Sequence, residues 1–210
     1  MAEDLVKALT DLEEKKALQI VKERLDAGGD AAGILQDCRE AMEIVGKKFS
    51  DGDCFIPDLV YAGEILTQIN EIVKPKLKGV PEVKRLGKVV LGTVAGDIHD
   101  IGLNIVDFML DMNGFEVYNL GIDQPPKGFV DKVKETGAAI VGLSGFLTLA
   151  FDSMKETVEA IKAAGLRDKV KIMIGGGQID EQVKEYTGAD AYGQDAMAAV
   201  TLAQKWVGAK

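Results

Sequence analysis

Histidine and cysteine are nearly missing from this chain. His99 is the one imidazole in 210 residues, and Cys38 and Cys54 are the two thiols. The cysteines lack metal-ligand spacing, which excludes a zinc–thiolate site. Without a second histidine or a nucleophile–base pair, the chain has no catalytic constellation of its own. Basic residues are also in deficit: 25 Lys and Arg face 34 Asp and Glu, a formal net charge of −9. That balance argues against a nucleic-acid partner and against an anionic membrane surface. No apolar run reaches the length of a membrane span. The acidic start Met1-Ala2-Glu3-Asp4 has no signal-peptide core, so both cysteines read as reduced thiols in a cytoplasmic protein. Internal repeats and low-complexity tracts are absent. What is present is ordinary for a globular protein, with 47% hydrophobic and 28% charged residues, enough for one large or two small domains.

Two halves differ in hydrophobic period. Residues 1–74 read as helix. Leu5, Leu9 and Leu12, then Ala17, Leu18, Val21 and Leu25, recur at helical spacing, with a break near Thr10-Asp11 and a stop at Gly28-Gly29. A further helix spans about 31–49, with Ile34, Leu35, Cys38, Met42 and Val45 on one face. After the turn Ser50–Asp53, another runs from Pro57 to Val73, with the proline in the first turn where a missing N–H costs little. Four helices are expected. Residues 75–87, basic and Pro-punctuated, read as an exposed linker.

From residue 88 to 210 the pattern alternates strand and helix. Val89–Val94, Glu116–Leu120, Ala138–Leu143, Val170–Ile174 and a short run at Ala191-Tyr192 read as strands. Five helical stretches separate and follow them. This predicts a doubly wound, five-stranded parallel sheet of Rossmann-like α/β class.

His99 lies in Gly96-Asp97-Ile98-His99-Asp100-Ile101-Gly102, directly after the first strand. An imidazole is a good transition-metal ligand, and Asp97 can accept the hydrogen bond of its other ring nitrogen. The alternative is a surface histidine in a Gly-punctuated loop. Ser144 ends the third strand and Gly175-Gly176-Gly177 the fourth. Ligands of open α/β sheets bind at these carboxyl ends, and glycine there lets a bulky group approach the main chain. Taken singly, Ser144 could be a strand-end hydroxyl bonded to backbone, and the glycines a plain loop or a phosphate nest. Gly-x-Gly-x-x-Gly does not follow the first strand, which argues against a dinucleotide fold.

Asp97-x-His99-x-x-Gly102, 41 intervening residues, Ser144-x-Phe146, 28 more and Gly175-Gly176 together resemble the cobalamin-binding signature Asp-x-His-x-x-Gly…Ser-x-Leu…Gly-Gly. The chain is similar from end to end to the corrinoid proteins of anaerobic methyltransferase systems and to the cobalamin-binding segment of methionine synthase. The resemblance implies a helical bundle cap (1–74) ahead of a flavodoxin-like corrinoid domain (88–210). It implies cobalamin bound base-off/His-on, with His99 as lower axial cobalt ligand and Asp97 holding it. Ile98, Asp100, Ile101, Gly102, Ser144, Phe146, Leu147, Thr148, Gly175, Gly176, Tyr192 and Asp195 would line the corrinoid and the slot for its displaced nucleotide tail. Phe49, Phe55 and Ile56 would cover the upper, methyl-bearing face; without the resemblance they read as plain core. Three positions depart from the family pattern. Phe146 replaces Leu, Ala150 replaces the serine of a His–Asp–Ser relay, and Leu103 replaces a common Lys, which reads as surface variation.

The implied function is a methyl carrier, not catalytic alone. It would take a methyl group on Co(I) from a substrate:corrinoid methyltransferase. It would hand that group from methyl-Co(III) to a methylcorrinoid:tetrahydrofolate methyltransferase, and a reductive activator would rescue oxidised cobalt. Two alternatives keep the same histidine and fold: the corrinoid subunit of a mutase, which usually lacks the cap, and a cobalamin-based sensor, which normally adds an output domain. A signalling receiver would want an aspartate at the end of the third strand, where Leu143-Ser144-Gly145 stands.

Overall fold

A computed structural model describes residues 2–28, 31–77 and 85–209. The chain divides into two compact units, residues 1–84 and 85–210. Residues 78–84, the greater part of the expected linker, lie outside the described residues.

The first unit is four helices: α1 (Ala2–Thr10), α2 (Glu14–Asp26), α3 (Ala31–Ser50) and α4 (Ile56–Val73). Leu5, Leu9, Ala17, Val21, Ile34, Met42, Leu59, Ile65 and Ile69 are buried between them, which is the helical spacing at work. The break after Thr10 is made by Leu12, which takes a left-handed φ of 57° and turns the chain into α2. Helix α4 starts one residue ahead of Pro57. The Asp58 carboxylate accepts the N–H of Phe55 at 2.7 Å, the return half of a capping box. Cys38 is buried in this core, and burial pushes its thiol up to about 12.

The second unit carries a parallel sheet of β1 (Lys88–Thr93), β2 (Glu116–Asn119), β3 (Ile140–Ser144), β4 (Lys171–Gly175) and β5 (Ala191–Gly193), in the order β2-β1-β3-β4-β5. This is the flavodoxin-like order, with its switch point between β1 and β3. The interleaved helices are α5 (Ile101–Met112), α6 (Pro126–Thr136), α7 (Ala150–Ala163), α8 (Glu181–Thr187) and α9 (Ala196–Val207). Helix α5 packs on α9, while α6 packs on α7 and α7 on α8. Val90, Val94, Phe129, Val141, Leu143, Met154, Ile161, Ile172 and Ile174 make the buried core of this unit. The central strands are packed so closely that a Cβ on Gly142 would come within 2.3 Å of the Leu91 side chain.

Local chemistry moves some boundaries from the sequence reading. Pro126 starts α6, its fixed φ suiting a first turn. Strand β3 starts at Ile140 because Gly137 ends α6 at φ 68° and the N–H of Ala138 is taken by the Thr136 hydroxyl. A 3-10 turn at Arg167–Lys169 precedes β4. One reading is corrected. Leu103 is not surface variation: it is 3% exposed, because its side of the first turn of α5 faces the core. Among the described residues no helix is long and apolar enough to cross a membrane.

Candidate functional site

Strand register sets the site. Thr93 of β1 pairs with Ser144 of β3, Ser144 with Gly175 of β4, and Gly175 with Gly193 of β5. The carboxyl ends of four strands therefore form one row, and the loops leaving that row hold the motif residues.

The β1–α5 loop is built around Asp97, which is 1% exposed. Its Oδ1 accepts the backbone N–H of His99 at 2.9 Å and faces the His99 ring Nδ1 at 3.1 Å. Its Oδ2 accepts the backbone N–H groups of Phe146 at 2.7 Å and Leu147 at 3.3 Å. Burial alone would push this carboxyl up. The N–H donors of His99, Phe146 and Leu147 and the His99 ring outweigh it and hold the group below its ordinary value. Asp97 is thus an anion at neutral pH, which places the imidazole proton on Nδ1 and leaves the Nε2 lone pair for a ligand. The His99 side chain is 46% exposed, so that nitrogen is accessible.

Ala150 opens α7, and both oxygens of Asp97 accept hydrogen bonds, from His99 and from main-chain N–H groups of the β3–α7 loop. Phe146 has a second contact: its ring lies 4.8 Å from the His99 ring at a 34° tilt. It also fills the space above the β4–α8 loop, where a Cβ on Gly177 would meet it at 2.5 Å.

Ile98, Ile101, Phe146 and Leu147 are exposed around His99, together with Ile122 and Leu149, which the sequence did not single out. Exposed apolar side chains on the loops that meet at Asp97 suit a broad apolar ligand surface. Among the described residues no group of three or more His, Cys, Asp or Glu could hold a metal ion. Two glycines leave room for a bulky group. A Cβ at Gly102, in the first turn of α5, would meet nothing within 4 Å, and one at Gly175 only the Gly193 carbonyl at 3.7 Å. Gly176 differs: at φ 146° its added Cβ would collide with the Gly145 carbonyl oxygen at 1.8 Å, so packing demands it. These residues fit a corrinoid.

The remaining motif residues are dispersed around this centre. Ser144 is half-buried at the end of β3. Asp100 precedes α5 and accepts the Asn104 side-chain amide at 3.2 Å. Thr148 is exposed, and its carbonyl accepts the N–H of Phe151. Tyr192 packs against the buried core. Asp195 caps α9, accepting the N–H of Ala198 at 2.7 Å. In the N-terminal unit, Phe55 and Ile56 are 70% and 43% exposed and Phe49 is half-buried, so these residues are not core. That corrects the plain-core alternative for Phe55 and Ile56. A cavity of about 640 Å³ opens at the opposite, amino ends of β3 and β4, lined by Ile140, Lys171, Trp206 and the Arg167–Asp190 ion pair; it contains no motif residue.

Sequence reasoning missed Thr93 and Asp123. The Thr93 hydroxyl, fully buried, donates to the Asp97 carbonyl and accepts the Asp123 N–H at 2.8 Å. Asp123 also donates that N–H toward the Asp97 carbonyl at 3.0 Å, and its carboxylate accepts the Gly96 N–H at 2.7 Å. No local pattern announces contacts between loops so far apart in the chain.

Comparison with known proteins agrees with this geometry. A B12 binding domain family matches residues 87–201, and a second B12 binding domain family matches residues 1–74. The chain is 39% identical to trimethylamine corrinoid protein 1 of Methanosarcina acetivorans, covering 92% of this chain and 91% of that one. It is 36% identical to a corrinoid protein of Desulfitobacterium hafniense strain Y51 over 99% of this chain and 98% of the relative. The crystal structure of a cobalamin-binding protein from Desulfitobacterium hafniense DCB-2 superposes with a TM-score of 0.82 at 43% identity, covering 98% of both chains. Matched along nearly its whole length by such relatives and by both B12 binding families, the chain belongs to the family of B12-binding corrinoid proteins of methyltransferase systems.

Proposed function

We propose that the chain is a methyl carrier that holds a base-off corrinoid through His99. The observation that carries this reading is the Asp97–His99 pair, with Nδ1 on a buried carboxylate and Nε2 presented to solvent at the switch point of the sheet. A bound corrinoid supplies the acceptor and donor for the methyl group. His99 supplies the lower axial nitrogen, and Asp97 orients it and raises its basicity. Gly102, Ser144, Gly175 and Gly176, with the loops at Thr148, Tyr192 and Asp195, line the slot for the displaced nucleotide tail. Ile98, Asp100, Ile101, Phe146 and Leu147 would border a bound corrinoid and exclude water from His99. Phe49, Phe55 and Ile56 are assigned to cover a bound methyl group.

Loading and unloading the methyl group are assigned to separate partners. We assign these to a substrate:corrinoid methyltransferase and a methylcorrinoid:tetrahydrofolate methyltransferase, with a reductive activator for oxidised cobalt. One relative is named for trimethylamine, which makes methylated amines the first donors to test.

Refolding the purified protein with hydroxocobalamin and desalting it tests the reading. The expected product is coloured and retains about one cobalt per chain. It should accept methyl groups when a methylamine methyltransferase and donor are supplied. Failure to retain corrinoid under several refolding conditions overturns the proposal.

A further inference from the structure

The β2–α6 loop reaches across to the β1–α5 loop at the point where His99 is set. Pairing of β1 with β2 resumes beyond the end of β2. The Thr93 N–H goes to the Gly121 carbonyl at 3.0 Å and the Gln124 N–H to the Thr93 carbonyl at 3.0 Å, with an isolated bridge between Val94 and Gln124. Between those bonds Asp123 bulges out at a left-handed φ of 54°. Few residues other than glycine accept that conformation, and aspartate is one of them. In this pose Asp123 holds three groups of the β1–α5 segment. Its N–H serves the Thr93 hydroxyl and the Asp97 carbonyl, and its carboxylate holds the Gly96 N–H. Thr93 completes the circuit by donating to the Asp97 carbonyl. The backbone of Asp97 is therefore clamped from below by Thr93 and from the side by Asp123, independently of its carboxylate.

We infer that Asp123, acting with Thr93, is a positioning residue for His99: its carboxylate holds the Gly96 N–H and so fixes the turn that carries Asp97, whose carboxylate sets the direction of the imidazole. The inference rests on His99 being the axial ligand. Asp123 itself is exposed, so it contributes little to the core, and a backbone kept in a strained region at such a place points to positioning rather than stability.

The test compares wild type, Asp123→Gly, Asp123→Ala and Asp123→Asn, each as the full chain loaded with cobalamin and reduced to Co(II). Glycine accepts the left-handed φ and removes only the carboxylate, so this variant keeps the fold. Asparagine keeps both the acceptor and the conformation. Electron paramagnetic resonance reads the fraction of cobalt with an axial nitrogen. Asp123→Gly and Asp123→Ala are expected to weaken imidazole coordination about tenfold, the loss of one well-placed hydrogen bond to a backbone donor. Asp123→Asn is expected to restore the wild-type spectrum. In the cofactor-free chain, nuclear magnetic resonance of the single imidazole should show the Nδ1–H tautomer losing its dominance in Asp123→Gly alone of the Gly and Asn pair. Wild-type spectra in both Asp123→Gly and Asp123→Ala overturn the inference while leaving the axial role of His99 intact. A wild type without axial nitrogen overturns that role and this inference with it.

Discussion

Asp97 divides its two oxygens between two loops, and that division aims the single histidine. Oδ1 serves His99 and Oδ2 serves the main chain of Phe146 and Leu147, so the carboxylate joins the ends of β1 and β3 while aiming the ring. Asp97→Asn replaces an acceptor oxygen by an N–H₂ that must face either a ring N–H or two backbone N–H groups. The expected outcome is retained corrinoid, a weaker His99 ligand and a shifted Co(II)/Co(I) midpoint; an unchanged midpoint would reduce Asp97 to a loop staple. A second carboxylate gives a test of stability alone. Burial pushes Asp190 up, but Arg167, the Ile172 N–H and Lys171 outweigh it and hold it below its ordinary value. A lowered folded-state value stabilises the protein above the unfolded-state value and loses that contribution as pH falls through the folded one. Thermal unfolding of Asp190→Asn should therefore differ most from wild type near neutral pH and converge with it in acid below about pH 4. At this scale the sequence was legible where contacts are local. Asp97 and His99 are two residues apart, so their pairing follows from spacing. Thr93 and Asp123 are invisible to it, because they meet through a bulge that only the folded sheet creates.

The loops at the strand ends behave as elements with two kinds of glycine, and substitution separates them. Gly102 sits in the first turn of α5 with nothing in reach of an added Cβ. Gly102→Ala should raise the stability of the cofactor-free chain by up to about 1 kcal/mol, through helix propensity, and lower corrinoid retention. Gly176→Ala should do the reverse in kind. Its Cβ would strike the Gly145 carbonyl, and the cost should reach at least about 2 kcal/mol before any ligand is added. Denaturant unfolding with and without cobalamin distinguishes the two, and equal cofactor affinity in Gly102→Ala and wild type would deny Gly102 a place in the cradle. The element pattern itself was readable, since strand runs of Val, Ile and Leu alternate with helical spacing and nothing competes with either period. What escaped was detail made by caps and packing. The 3-10 turn before β4 has no period of its own, and Leu103 is buried because of which face α5 turns inward, a matter of tertiary packing.

Over the whole molecule, the first unit contributes exposed apolar residues and the second a solvent-facing nitrogen ringed by others. Phe55 at 70% exposure contributes little to folding, so Phe55→Ala should change stability by no more than about 0.5 kcal/mol. If Phe55 shields the methyl group, the same variant should lose bound methyl or reduced cobalt to oxygen faster than wild type. Equal rates under identical oxygen leakage would leave the first unit as a docking module for the methyltransferases. The two-part layout was legible because hydrophobic period changes along the chain, whereas the exposure of Phe55 and Ile56 needed the folded unit. The central claim, that His99 ligates cobalt, is tested most directly by isotope. With one histidine in the chain, growth on nitrogen-15 histidine labels one possible ligand. In the reduced, cobalamin-loaded protein, electron paramagnetic resonance of Co(II) should then show each axial nitrogen triplet replaced by a doublet. Triplets that persist after labelling, or a spectrum with no nitrogen splitting at all, would contradict the account.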